Sequence, residues 1–337
     1  MTSTDRRGPD ATLGDVAVAA GVSRATVSRA FSRPDLISDE TVRRVKAAAE
    51  KLGYVGNDAA RALKTGRFRN IAIVVPDIAN PFFPPMLRAA QNRADELGYA
   101  VFLGDSDERA ERERTLLSRL SGQVEGFVLA GTRLDRKTIT ALVSTRPTVL
   151  INRDIPTIPR VLIDSARGIA EAVEHLAGLG HRRIAYVAGP TDAWADQQRR
   201  GGVRRTAERL GLGVSVIEAG RPTFTAGVET AGPLATSGAT AAIAFDDVLA
   251  HGLLAGLATR GLRVPADMSV IGCDDTLATS TEPPLTTISE AATTAGTRAV
   301  DTLIGLLDDR PQRARRLTVD THLIVRSTTA APRARRA

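Results

Sequence analysis

The chain has 337 residues, 43% of them hydrophobic and 25% charged, with a formal net charge of +7. That length implies two or three domains, and that apolar content a folded rather than a disordered chain. No apolar run approaches the ~20 residues of a membrane span, the opening MTSTDRRGPD lacks the apolar stretch of a secretory signal, and the one cysteine, Cys273, excludes an intrachain disulfide and a cysteine zinc cluster. A cytoplasmic protein is expected. The charge is uneven: residues 1–69 carry 13 Lys+Arg against 8 Asp+Glu, residues 70–309 carry 24 against 29, and residues 310–337 carry 8 against 1. A basic head on an acidic body points to a polyanionic partner for the head, with plain solvated charge as the alternative.

Residues 1–10 read as a disordered tail. From 11 to 56 three short helices are predicted. Thr12 and Asp15 form a T-x-x-D capping pattern ahead of Leu13, Val16, Ala17 and Ala20 at helical spacing. Gly21 breaks that helix, and Ser23 caps the next, anchored by Val22 and Val27. Ser38 caps a third, with Asp39 and Glu40 in the first turn where the helix dipole favours acids. Val42, Val45, Ala49 and Leu52 form its buried stripe. Two short helices joined by a tight glycine turn are a helix-turn-helix signature. The second projects Arg24, Ala25, Ser28 and Arg29 from its open face. Arginine bonds guanine O6 and N7 bidentately in the major groove. Ser23, Thr26 and Ser28 can bond phosphate oxygens, which fixes position without reading bases.

TLGDVAVAAGVSRATVSRAF followed by ISDETVRRVKAAAEKLGY resembles the DNA-binding head of the LacI/GalR family of transcriptional regulators. The resemblance implies base reading by Arg24 and Arg29, with methyl contacts from Ala25. The DNA-contacting set of the head is then Thr12, Ser23, Arg24, Ala25, Thr26, Ser28 and Arg29. Residues 57–69 come next, with NDAARALKTG (57–66) a marginal helix capped by Asn57; so short a helix is not stable alone in water. A plain interdomain linker is the alternative reading. The resemblance implies a hinge helix that folds when two copies meet in the DNA minor groove, with Ala60 facing the groove and Leu63 as an apolar wedge. Gly56 and Asp58 replace the proline and basic residue usual in the family, and Gly56 raises the entropy of the free hinge.

From residue 70 to 330 the pattern becomes βα alternation. Short apolar strands are predicted at 71–75, 100–104, 126–130, 148–152 and 161–164, and again at 183–189, 215–218, 240–245 and 268–272. Near-continuous apolar strands between helices mean parallel sheets covered on both faces. Two runs imply two subdomains with a ligand cleft at the strand carboxyl ends. The expected architecture is therefore an all-α helix-turn-helix head plus an α/β body of two parallel-sheet subdomains. PDIANPFF (76–83), GHRRIAYVAGP (180–190), GLRVPADMSVIGCDD (261–275) and PPLTTI (283–288) continue the family resemblance, which implies a periplasmic-binding-protein-like body for effector binding and dimerisation.

By that resemblance the effector pocket holds Asn80, Phe82, Asn152, Arg153, Arg199, Phe224, Asp246 and Asp274. Asn152 and Asp246 depart from the usual Asp and Asn of the family. Carboxylates accept from adjacent hydroxyls, arginine donates in a fixed fork, and an aromatic face covers C–H groups, which suits a sugar or sugar derivative. Asp247 reads instead as a helix N-terminal acid and Asp275 as structural; Phe82 is pocket or core, and Trp194 pocket rim or exposed loop. The four histidines are scattered without metal-ligand spacing. No metal, cofactor or catalytic residue is expected.

The implied function is a cytoplasmic, homodimeric transcriptional repressor. It binds near-palindromic operator DNA, a small-molecule effector in the cleft controls its affinity, and no membrane is involved. Whether the effector releases or promotes DNA binding is left open. A solute-binding protein of a transport system would share the body but needs an export signal and no head. An enzyme is the third class, but no G-x-x-x-x-G-K-[ST] loop or G-x-S-x-G elbow occurs, and GLGV (211–214) lacks the third glycine of a dinucleotide fingerprint. Residues 331–337 read as a disordered basic tail.

Overall fold

Local capping chemistry sets the boundaries of the first three helices. In α1 (Leu13–Ala20) the Asp15 backbone N–H donates to Thr12 Oγ1, and the Thr12 backbone N–H donates back to Asp15 Oδ2 at 2.8 Å, so the reciprocal capping box forms as predicted. Gly21 ends the helix at φ +62°, a left-handed conformation that costs glycine little. Ser23 caps α2 (Arg24–Ser32) through the Thr26 N–H, and Ser38 caps α3 (Asp39–Lys51) through the Thr41 N–H. Val16, Ala17, Ala20, Val27, Ala30, Val45 and Ala49 form a small core among the three. Arg44 Nε adds a bond to the Ala20 carbonyl at 3.0 Å, satisfying a group at the end of α1.

This computed structural model describes residues 11–33, 36–54, 68–308 and 315–333. It divides into two units, residues 1–68 and 69–337. The expected hinge residues Asn57, Ala60 and Leu63 lie outside the described residues, as do residues 1–10. Of the basic tail expected over 331–337, residues 331–333 are described, and Arg333 pairs with Asp267.

The second unit holds two lobes, each on a six-stranded sheet. In the first lobe, β1 (Asn70–Val75), β2 (Ala100–Asp105), β3 (Gly126–Ala130), β4 (Thr148–Ile151) and β5 (Arg160–Ile163) are joined by a late strand, β11 (Arg316–Val319), in the order β11-β5-β4-β3-β1-β2, all parallel. In the second, β6 (Arg183–Ala188), β7 (Gly213–Glu218), β8 (Ala241–Ala244), β9 (Ser269–Asp274) and β10 (Thr286–Glu290) take β12 (Thr321–Ile324) as an antiparallel edge, in the order β12-β10-β9-β8-β6-β7. The inner strands are apolar on both faces because both are covered. Ile71, Ile73 and Val75 face one core with Met86 and Leu303, and Ala72 and Val74 face another with Phe127 and Leu134. The second lobe repeats this, with Tyr186 on one side of its sheet and Val187 on the other.

The predicted strands are all present, but two consecutive runs are not the whole topology. The chain crosses between lobes three times: between β5 and α7 (Ser165–Gly178), between β10 and α11 (Ala292–Leu307), and between β11 and β12. Helix α11 packs its Ala295, Ala299 and Leu303 into the first lobe although it follows the last long strand of the second. Thr321 pins the first and third of these together: its Oγ1 donates to the Asp164 carbonyl at 2.7 Å and accepts from the Gly168 N–H at 2.9 Å. All three crossings lie at the same edge of the sheets, opposite β2 and β7.

In the second lobe α9 (Phe224–Thr236) and α10 (Asp247–Ala258) approach through paired glycines. A Cβ on Gly252 would stand 2.1 Å from the Phe224 carbonyl oxygen, and one on Gly227 would stand 2.4 Å from that of Leu249. Both obstacles are backbone and cannot rotate away. Gly252→Ala is therefore expected to destabilise the chain by about 1–3 kcal/mol, the usual range for overpacking. Urea denaturation of the variant against the parent measures it; equal midpoints would refute the close approach.

Candidate functional site

On α2 the side chains sort by burial as the helix pattern predicts. Val27 and Ala30 are buried, whereas Arg24, Ala25 and Arg29 are exposed. Ser23 and Thr26 are committed to the cap, their hydroxyls 2.9 Å apart, and Thr12 is held in its capping box. Arg24 lies back over α1, where a Cβ on Gly14 would meet its guanidinium at 2.7 Å. Gly14 thus leaves room for one of the two arginines on this face, a function not evident from sequence.

Between the two lobes lies a cavity of about 60 Å³. The first lobe supplies Asn80 and Phe82 from the turn after β1, Glu108 from the turn after β2, Arg133 from beyond β3, and Asn152 from the end of β4. The second supplies Trp194 and Arg199 from α8 (Trp194–Arg209), Pro222 ahead of α9, Phe245 and Asp246 after β8, and Asp274 at the end of β9. All sit at strand carboxyl ends or at the starts of the following helices, where an open α/β sheet places its ligands.

The lobes touch through polar bonds across this cavity. Asn80 Nδ2 donates to Asp246 Oδ2 at 2.9 Å, both side chains buried, while Asn80 Oδ1 accepts from the Phe82 N–H at 3.0 Å. At the mouth Arg221 Nη2 donates to Asp107 Oδ1 at 2.7 Å, and Arg133 stands 3.8 Å from Asp192. Arg199 bonds the Phe245 carbonyl, reaches Asp274 Oδ1 at 3.4 Å, and stacks 4.6 Å from the Phe245 ring centroid. Arg133 Nε donates to Glu108 Oε2 at 2.6 Å and Nη1 to the Gly131 carbonyl at 3.0 Å.

Asp246 has two tasks. It caps α10, its Oδ1 accepting from the Leu249 N–H at 2.8 Å, and it presents the other oxygen to the cavity. Burial drives its carboxyl up to about 6, against the Leu249 bond, the Arg199 charge and the Asn80 bond, which all favour the anion. Burial likewise raises Asp247, against bonds from Thr287 Oγ1 at 2.6 Å and the Thr276 N–H at 2.8 Å. Asp247 is thus the helix N-terminal acid predicted, and Gly272 makes room for it, since a Cβ there would stand 2.1 Å from Asp247 Oδ1. Asp275 pairs with Arg326 at 2.6 Å, outside the lining, as its structural reading requires.

Six of the eight residues expected at the pocket are brought together: Asn80, Phe82, Asn152, Arg199, Asp246 and Asp274. Two are not. Arg153 turns away and donates to the Leu134 carbonyl at 3.3 Å. Phe224, the first residue of α9, is 51% exposed, and Pro222 takes the rim instead. Asn152 lines the cavity at φ +53°, a conformation asparagine tolerates, and its Oδ1 accepts from the Ile163 N–H at 3.0 Å, so it also ties β4 to β5. Phe82 is both core and lining, and Trp194 lines the cavity. Sequence reasoning missed Glu108, Arg133 and Phe245; their positions just past the ends of β2, β3 and β8 were the available signal. Among the described residues no cluster of His, Cys, Asp and Glu could hold a metal, and no helix is long and apolar enough to cross a membrane.

A helix-turn-helix unit joined in one chain to a two-lobed binding unit defines a ligand-responsive DNA-binding regulator. Residues 12–57 match the family described as bacterial regulatory proteins, lacI family, and residues 173–329 match the periplasmic binding protein-like domain. The HTH-type transcriptional regulator DegA of Bacillus subtilis (strain 168) is 34% identical over 330 residues, 95% of this chain and 98% of its own. The structure of the lac repressor dimer bound to operator and the anti-inducer ONPF aligns at a TM-score of 0.86 and 29% identity, covering 96% of this chain and 100% of that one. That of the transcriptional regulator CelR–cellobiose complex aligns at 0.72 and 29% identity, covering 94% and 99%. The chain belongs to the LacI family of bacterial regulatory proteins, and it is a regulator of transcription rather than an enzyme.

The raised carboxyl of Asp246 has a pH consequence. Its folded-state value of about 6 lies above the ordinary 3.8, so folding favours the protonated form. The cost of burying the charge is absent below the lower value, grows between the two, and is complete above the higher. Asp246→Asn removes the charge and keeps one oxygen for the cap, but its Nδ2 then faces Asn80 Nδ2 donor to donor, a loss that does not depend on pH. Its stability relative to the parent is expected to rise as pH goes from about 4 to about 6 and to level off above, on top of that constant loss. Urea titrations of both proteins across that range test it; a constant gap would show that Asp246 is ionised without cost.

Proposed function

We propose that the chain is a homodimeric, sequence-specific repressor acting in the cytoplasm, where a sugar or sugar derivative bound between the lobes sets its affinity for a near-palindromic operator. The observation that carries the reading is the pairing, in one chain, of an exposed Arg24–Ala25–Arg29 face on a capped helix with a polar cavity at the strand ends. Arg24 and Arg29 read base edges, and the polar groups around them position the phosphate backbone. The lac repressor dimer on its operator and CelR with cellobiose support the DNA, dimer and sugar parts by relationship. The dimer also has a surface to use. Edge strands β2 and β7 expose Leu103 at 46% and Val216 at 43%, at corresponding edges of the two sheets.

The cavity of about 60 Å³ holds a few water molecules and is well below the ~300–1,000 Å³ of small-molecule sites. The lobes therefore part to admit an effector, breaking the Asn80–Asp246 and Arg221–Asp107 bonds and pivoting at the three crossings. The first lobe follows the head in sequence, so its movement is what the head receives. Whichever lobe arrangement suits two heads on one operator binds DNA better, and the effector shifts the balance by its preference for one arrangement.

A mobility-shift assay on the DNA upstream of the chain's own gene, with and without a panel of sugars, tests the whole reading. A specific shift that some sugar changes is expected; no preference over scrambled duplex under any condition would remove it. In the same assay Arg29→Ala should weaken specific binding by about 1–3 kcal/mol. An equal loss on random DNA would make Arg29 a phosphate contact. Arg199→Ala should leave operator binding intact and abolish the sugar response, and a normal response would show that the effector sits elsewhere.

A further inference from the structure

The cavity contains charge of both signs, and how that charge is paired restricts what it admits. Its lining carries three carboxylates, Glu108, Asp246 and Asp274, against two guanidinium groups, Arg133 and Arg199. Both guanidinium groups are committed within the chain. Arg133, with its side chain 6% exposed, holds Glu108 through Nε and Nη2 and the Gly131 carbonyl through Nη1. Arg199, 4% exposed, holds Asp274 and the Phe245 carbonyl and lies on the Phe245 ring. At the mouth Arg221 is held by Asp107.

A helix N-terminus is the other natural seat for an anion, and three helices have their cap or first residue in the lining. That of α10 is taken by the chain's own Asp246 carboxylate. That of α8 has the buried Asp196 in its first turn, accepting from the Gly189 N–H at 2.9 Å and the Tyr186 hydroxyl at 2.8 Å. That of α4 (Phe83–Glu96) has Pro84 and Pro85 in its first turn, which have no N–H to offer. Burial lifts the Glu108 carboxyl above its ordinary range even though the adjoining Arg133 favours its anion, so Arg133 is already engaged in holding a buried negative charge.

We propose that this site selects effectors without a phosphate or carboxylate group: an uncharged polyol is admitted, and its phosphorylated or acid derivative is excluded. The inference rests on the sugar-binding reading above and deepens it. Hydroxyls donate to the three carboxylates without adding charge, whereas an anion would be buried against Asp246 with no cation released inside the cavity to meet it; the Arg221 freed when the lobes part lies at the mouth, exposed to water.

Calorimetric titration of the full chain with matched pairs tests this: ribose with ribose 5-phosphate, glucose with glucose 6-phosphate, and glucose with gluconate. A neutral sugar is expected to bind while its anionic partner binds at least about 100-fold more weakly. An anionic member that binds as well as or better than its neutral partner overturns the inference and leaves the sugar-binding reading standing. Silence from every pair removes that reading and the inference with it. Glu108→Gln supplies the second measurement, because it keeps the side chain's shape and leaves the Arg133 charge opposed only by the exposed Asp192, 3.8 Å away. The discrimination should narrow by about tenfold or more; unchanged discrimination would show that paired charge is not its source.

Discussion

Two sheets joined at one edge by three backbone crossings set the terms for everything else in the binding unit. Thr321 ties the last crossing to the first, through the Asp164 carbonyl and the Gly168 N–H, so the connections at that edge are bonded to one another as well as continuous in the chain. The opposite edge, formed by β2 and β7, has no covalent link; on that side the lobes meet through side chains, Arg221 with Asp107 and Arg133 with Asp192 at the mouth and Asn80 with Asp246 inside. A hinge on one side and a polar latch on the other leave the cavity between them, at the carboxyl ends of both sheets. The position of the site therefore follows from the topology, and its residues need only be polar, correctly placed and mutually satisfied.

Mutual satisfaction is the expensive requirement. A buried carboxylate is tolerated when hydrogen bonds or cations replace its water, and each acid near the cavity meets this differently. Asp274 has Arg199, Glu108 has Arg133, Asp247 has Thr287 and a backbone N–H, and Asp246 has its own helix start and an amide from the other lobe. Asp246 alone among them depends on a donor across the cleft. When the lobes part it loses Asn80 and gains water, so it is the group whose state changes most with cleft opening.

Much of this was legible in the sequence where the determining interactions are local. Thr12 with Asp15, Ser23, Ser38 and Gly21 act within one helical turn, and all four signals correspond to observed caps or breaks. The long apolar strands were equally visible, because a strand covered on both faces has no polar side to interrupt it. The interleaved ending was not. Strands β11 and β12 are four residues each and half-exposed, so their periodicity is too short to read, and nothing local tells α11 to return to the first lobe. At the site, sequence placed the chain segments correctly but not every side chain. Arg153 follows Asn152 in the chain, yet the left-handed turn at Asn152 sends the arginine to the Leu134 carbonyl. Phe224 begins a helix whose start faces outward, so the proline two residues earlier lines the rim. Glu108 and Arg133 announce themselves only through each other, 25 residues apart.

The balance between the closed and opened cleft sets what an effector must supply. The Arg221–Asp107 bridge is open to solvent and adds little, because water and salt screen it. The buried Asn80–Asp246 bond, to a charged acceptor, is worth about 2 kcal/mol against a water-filled opened cleft. A ligand with micromolar affinity for one arrangement has about 8 kcal/mol to draw on, and the part of it that the other arrangement does not offer is what shifts the balance. The sensitivity of such a switch then depends on the closed state being only modestly preferred. A cleft latched by one internal hydrogen bond and two ion pairs at its water-exposed mouth meets that condition, whereas an apolar seam between the lobes would lock it shut.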